Sequence, residues 1–193
     1  MSEKLRASGG FCLLLLWFAA VNGWWPLLTV LCAAAIHELG HCLTLRLLGA
    51  RITAFRLTLF GMELQTNSCG ISYGRELAAV LAGPAANLLA AVVLNRWGTG
   101  EEVSALIGAN VALCVFNLLP VRVLDGGRAL LLATDWAFGV AGGEQVLRVV
   151  GAVTALALAA GLAYLMWQTG GSLWLLLPMT GMLAAVRREI RGG

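Results

Sequence analysis

The chain has 193 residues, of which 60% are hydrophobic and 12% charged, with a net charge of +3. Soluble domains carry about 25% charged and about 45–50% apolar residues. This composition therefore excludes an ordinary soluble domain and points to an integral membrane protein built as one bundle. The small basic excess, spread among loops, gives no footing for a nucleic-acid partner. The five cysteines are odd in number and mostly sit in apolar runs, so they read as small buried hydrophobes and not as a disulfide framework.

Residues 1 to 10 are a short polar start with Lys4 and Arg6, followed by an apolar run from Phe11 to Val21. A basic start before a short apolar run resembles a secretory signal peptide. No small-x-small cleavage site precedes Asn22, however, and the next segment is itself long and apolar. The run therefore reads as a first, short span, with Trp17, Trp24 and Trp25 near an interface. The second span, about Trp24 to Leu48, ends at Gly49, a residue suited to a helix C-terminus.

Between Ala50 and Gly74 the pattern changes to alternation, Arg51 to Phe60 and then Met62 to Thr66 around Gly61. This predicts a short β-hairpin at the membrane surface between spans two and three. It is either a structured loop or an edge to which an extended substrate adds as a strand. A third span runs from about Glu76 to Asn95 and holds Gly83-Pro84, a pair that kinks a helix and lets neighbours approach closely. Asn87 in this span reads as packing or as a cross-helix hydrogen bond. Residues Gly98 to Glu102 read as an acidic loop before a fourth span, about Val103 to Leu119. A short helix over Ala129 to Phe138 and a flexible break from Gly139 to Gly143 precede spans five (about Gln145 to Trp167) and six (about Ser172 to Val186).

The expected fold is thus an all-α membrane protein of about six transmembrane helices with that one hairpin. Residues 1–193 read as a single transmembrane domain without a CBS or PDZ domain. With six spans both termini share a side. If that side is cytoplasmic, every one of the 13 basic residues except Arg96 lies at an inside loop or span end. The positive-inside rule therefore places both termini in the cytoplasm. It also places the C-terminal ends of spans two and four in the cytoplasmic half of the membrane.

The chemistry concentrates in His37-Glu38-Leu39-Gly40-His41, inside the second span. Four residues apart on a helix, His37 and His41 project from one face. That spacing lets two imidazoles bind one Zn²⁺ while Glu38 acts on a metal-bound water. These are the only two histidines in the chain. A carboxylate at membrane depth without a task is costly. A catalytic zinc keeps three protein ligands and an open position. Asp125 is the best third candidate, since Pro120 and Gly126-Gly127 flank it at the depth of the histidines. Asp135 competes, Glu63 and Glu144 do so more weakly, and Cys42 faces another side of the helix. Asp125 also reads as an N-cap for a helix starting near Gly127, which does not exclude ligation.

Zinc in such a site acidifies its water and polarises a carbonyl. Glu38 takes the water's proton and passes one to the leaving amine. The Asn117 amide is placed to donate to the developing oxyanion, or else bridges helices. The metal-assisted hydrolysis reading stands against two others. One is a zinc-binding, non-proteolytic membrane scaffold, which would not need Glu38. The other is a metal transporter, which would spread polar groups along a path through the membrane.

The same residues carry a resemblance. His37-Glu38-Leu39-Gly40-His41 in a second span, Gly83-Pro84 in a third, and Asn117-x-x-Pro120 leading to Asp125-Gly126 resemble the site-2 proteases, intramembrane zinc metalloproteases. The wording is most similar to the sporulation branch, the bacterial stage IV FB protease. The resemblance implies one zinc per chain on His37, His41 and Asp125, with Glu38 as catalytic base and Asn117 and Pro120 shaping the substrate cleft. It further implies a bacterial cell membrane location and a membrane-associated protein substrate, in that branch the pro-sequence of a sporulation sigma factor. Inhibitory membrane proteins are the other implied partners, besides the lipid bilayer.

Overall fold

The structure, a computed structural model, describes residues 6–7, 9–49, 51–58, 61–67 and 72–168. The expected sixth span and the basic C-terminal tail lie outside the described residues. The chain divides into two compact units, Met1–Phe116 and Asn117–Gly193.

In the first unit, strand β1 (Arg6–Ala7) precedes helix α1 (Gly9–Asn22) and helix α2 (Trp24–Leu47). Strands β2 (Arg51–Thr58) and β3 (Gly61–Asn67) pair antiparallel, from Arg51 opposite Asn67 to Thr58 opposite Gly61, with an irregularity between Ile52 and Ala54. β1 runs parallel to β2. Helix α3 (Tyr73–Trp97) and helix α4 (Glu101–Asn117) follow. The acidic loop expected over Gly98 to Glu102 is shorter than read, because Glu101 and Glu102 open α4. There the unsatisfied N–H groups of a helix start favour negative charge.

α2 ends as its sequence suggests. Leu48 N–H donates to Thr44 O at 3.0 Å, Gly49 N–H donates to Arg46 O at 3.0 Å, and Gly49 has a φ of 76°. That left-handed geometry strains any residue with a Cβ. α2 and α3 pack side by side through their smallest residues. A Cβ built on Gly40 would lie 2.5 Å from Ala82 O and 2.7 Å from Ala86 Cβ. The two helices therefore approach backbone to side chain, a distance only glycine tolerates. α3 runs unbroken from Tyr73 to Trp97 through a buried Pro84; the missing proline N–H removes one bond of its ladder.

The second unit begins with a tight turn before helix α5 (Asp125–Phe138), which packs on helix α6 (Val140–Gln168). Gly139, with a φ of 77°, is the single residue between them. The flexible break expected over Gly139 to Gly143 is thus confined to Gly139. Gly142 and Gly143 are helical, and Gly143 lies directly against the Asp135 carboxylate, where a side chain would collide.

Among the described residues, α2, α3 and α6 are long and apolar enough to cross a membrane. α4, with 17 residues, rises about 26 Å, somewhat short of a bilayer core of about 30 Å. α1 has 14 residues and is shorter still. Large apolar side chains face outward along the helices, and Trp24, Trp25, Trp97 and Trp167 stand exposed at helix ends. Tryptophan favours such positions at the headgroup level of a bilayer.

Candidate metal centre

In the first unit, His37 and His41 are 5% and 8% exposed, on the face of α2 that meets α3. Leu39, Leu43 and Leu47 occupy the opposite, exposed side. Glu38 is half-buried, one helical step from His37, and its Oε2 is shielded from solvent. Gly83 of α3 lies against both rings. A Cβ there would overlap His41 Nε2 and would stand 2.6 Å from His41 Cε1 and 2.8 Å from His37 Cε1. The Gly83-Pro84 pair therefore serves the site directly, by letting the α3 backbone pass beside the imidazoles.

The protons of both rings follow from their partners. His41 Nδ1 lies 2.8 Å from Ala79 O, which can only accept, so Nδ1 carries the proton. His37 Nδ1 lies 2.7 Å from Asn87 Oδ1. The Asn87 amide is oriented by two acceptors on its other side, since its Nδ2 donates to Ala33 O at 2.9 Å and to Asn110 Oδ1 at 2.8 Å. Asn110 is oriented in turn by Leu106 O, to which its Nδ2 donates at 2.8 Å. Asn87 and Asn110 are both 0% exposed. His37 Nδ1 therefore also donates, and each imidazole presents Nε2 as a lone pair. This is the outer support that metal-ligating histidines need.

The two Nε2 atoms stand 3.1 Å apart. With both protons on Nδ1, both Nε2 atoms are available to a single metal ion. Two Zn–N bonds of about 2.0–2.1 Å at a tetrahedral angle span about 3.3 Å, so the pair fits one zinc.

In the second unit, Asp125 opens α5 and is half-buried. The N-cap is Leu124, with φ −109° and ψ 161°, so Asp125 is the first helical residue and not the cap considered above. Backbone N–H groups of Gly127 and Arg128 donate to Leu124 O at 3.1 and 3.2 Å. A Cβ on Gly126 would overlap the Leu118 carbonyl, and one on Gly127 the Val121 carbonyl. These glycines let residues 118–124 fold tightly over the first turn, which fixes where the Asp125 carboxylate emerges. Arg122 secures that turn to α6, donating to Glu144 Oε2 at 2.7 Å and Oε1 at 3.3 Å. Asn117 is the last residue of α4, half-buried.

Among the described residues, the donors that could serve a metal ion are His37 and His41 in the first unit and Asp125 in the second. Asp135 faces Gly143, Glu144 is engaged by Arg122, and Cys42 is not among those donors. The side chain of Glu63 lies outside the described residues. Sequence reading weighed Asn87 mainly as packing and passed over Asn110. The only signal for Asn110 was an amide in the middle of an apolar stretch of α4, between Ala105 and Phe116.

The fold is that of a known structure. It matches the site-2 protease from Methanocaldococcus jannaschii with a TM-score of 0.66 and 19% identity, over 93% of this chain and 85% of that one. At that identity the likeness speaks for the fold alone, which is that of a site-2 protease. The model of peptidase family M50 matches residues 94–160, a stretch that holds Asn117 and Asp125. A candidate zinc metalloprotease of Synechocystis sp. is 32% identical over 111 residues, 53% of this chain and 29% of the relative. The candidate zinc metalloprotease Rip3 of Mycobacterium tuberculosis is 28% identical over 196 residues, 94% of this chain and 49% of the relative. The chain thus spans less than half the length of either relative.

Proposed function

We propose that this chain is an intramembrane zinc endopeptidase acting on a membrane-associated protein near the cytoplasmic face. The observation that carries the reading is the pair of imidazoles, both with Nδ1 committed as donor and with their Nε2 atoms 3.1 Å apart beside Glu38. In this reading His37, His41 and Asp125 hold one zinc. When bound, zinc supplies an acidified water and an electrophile for the scissile carbonyl. Glu38 accepts the proton of the attacking water on a carboxylate oxygen and delivers it to the leaving amine. The Asn117 amide donates to the oxygen on which negative charge grows. Apolar helices keep bulk water from competing for these groups.

The finer points belong to the same proposal. Six spans, with both termini cytoplasmic, account for the one-sided distribution of basic residues. The β2–β3 pair, at the membrane surface, offers an edge to an extended substrate. Inhibitory membrane proteins would act by covering that edge. The pro-sequence of a sporulation sigma factor is the specific substrate that the Asn-Leu-Leu-Pro and Leu-Asp-Gly-Gly wording suggests, and that wording is its whole support. The test pairs zinc content with cleavage of such a pro-sequence on co-expression, in wild type and Glu38→Gln. Near one zinc per chain in both, with cleavage in wild type alone, is expected. Zinc without cleavage in either would remove that substrate, and no zinc in either would remove the proposal.

A further inference from the structure

We propose that Asn110 of α4 is a positioning residue for the metal: it sets the orientation of Asn87, and through it the tautomer of His37. The proposal rests on the metal-centre reading above. It begins from an asymmetry between the two histidines. His41 gives its Nδ1 proton to a backbone carbonyl, Ala79 O, which cannot exchange roles. His37 gives its Nδ1 proton to a side-chain amide, Asn87 Oδ1, which can. If the Asn87 amide turned over, its NH₂ group would face His37. The imidazole would then answer by accepting at Nδ1 and carrying its proton on Nε2. That tautomer cannot ligate through Nε2.

Two oxygens oppose this turn, Ala33 O at 2.9 Å and Asn110 Oδ1 at 2.8 Å from Asn87 Nδ2. Ala33 O belongs to the backbone of α2, the helix that carries the histidines. Asn110 Oδ1 is an acceptor only because Leu106 O, 2.8 Å away, holds the NH₂ end of Asn110. The relay therefore runs from a carbonyl of α4, through two fully buried amides, to Nδ1 of His37, and so sets whether Nε2 is free to ligate. Asn110 touches neither the ligand nor the metal. Without it, one of the two oxygens that hold Asn87 in place is gone. A buried amide bridging helices for packing alone would raise stability and leave the tautomer untouched.

The chain has two histidines, so ¹⁵N-histidine labelling of the metal-free protein in detergent, purified on a tag without histidine, reports on only two imidazoles, each through its Nδ1 and Nε2 signals. In wild type both rings are expected to be protonated at Nδ1. In Asn110→Leu, which fills the volume, and in Asn110→Ala, which does not, one ring should become a mixture of tautomers while the other stays unchanged. Either variant suffices if the other fails to fold. Asn110→Asp keeps an acceptor toward Asn87 and, neutral in its apolar surroundings, a donor toward Leu106 O; it should restore the wild-type spectrum. Co²⁺ affinity, read from its visible absorption, should fall about ten-fold in the Leu and Ala variants. Both rings unchanged, both rings changed alike, or Asn110→Asp behaving as Asn110→Ala would overturn the proposal. If wild type takes up no Co²⁺ while the tautomers respond as described, the metal reading fails and the relay stands.

Discussion

Gly83 lies against His41 so closely that a Cβ on the glycine would overlap the imidazole Nε2, the proposed metal-binding atom. The same Cβ would press on His37 Cε1 at 2.8 Å. The Gly83→Ala variant must therefore displace a ring, or part α2 from α3. Overpacking of this kind costs about 1–3 kcal/mol. The expected outcome is a chain that inserts with lowered thermal stability and binds zinc at least about ten-fold more weakly. Isothermal titration with zinc beside a melting curve checks it; undiminished affinity would show that the rings do not sit where the structure puts them.

Gly40 makes a different prediction, although it lies inside the same five-residue motif. Its neighbours are Ala82 O and Ala86 Cβ, not a ligand. A Gly40→Ala substitution therefore acts on helix packing, with a cost of about 1–3 kcal/mol. The fraction that folds should retain near-stoichiometric zinc. A melting curve and metal analysis of the same sample separate the two effects.

Much of this centre was legible in the sequence, for physical reasons. Two histidines four apart on an apolar helix leave few alternatives, and breakers around Asp125 mark a place where a backbone must turn sharply. The division of α5 from α6 was legible only as a glycine-rich stretch. Gly139 alone breaks the helix, because Gly142 and Gly143 are used for close packing instead. Asn110 was not legible, since its importance lies in facing Asn87, 23 positions away, and helical periodicity within α4 cannot report a partner on another helix. The span lengths were also blurred, because apolar runs do not show where α1 and α4 stop. Glu101 and Glu102 read as loop, yet a helix start accepts exactly such charges.

Glu38 tests the chemistry apart from the metal. Replacing it with glutamine keeps its size and removes its basicity. Zinc content should stay near one per chain, while cleavage falls by about 10²–10⁴-fold, the usual share of a general base. Single-turnover assays in detergent, with zinc measured in the same preparation, decide the matter. Retained cleavage would mean that another group takes the proton.

Asp125 and Asp135 differ by ten positions on one helix, and variants at the two separate the proposed ligand from its competitor. Asp125 stands at the first turn of α5, while Asp135 lies near its end, against Gly143. Asp125→Ala should lower zinc content steeply and abolish cleavage. Asp135→Asn should leave both intact. Metal analysis of the two variants after identical purification gives the answer, and a reversed pattern would move the third ligand to Asp135.

The Arg122–Glu144 pair predicts a small effect that is easily overestimated. Its contacts of 2.7 and 3.3 Å form a two-pronged bridge between the turn before Asp125 and the first turns of α6. The side chains are 24% and 37% exposed, however. An ion pair this open to solvent and salt contributes about 0–1 kcal/mol. Glu144→Gln should therefore lower the melting temperature by no more than a few degrees, with a smaller loss at high ionic strength than at low. Because Gly126 and Gly127 already lock the turn by close backbone packing, zinc content should not change. A large loss of zinc in Glu144→Gln would show that the ion pair, and not the glycine packing, holds Asp125 in place.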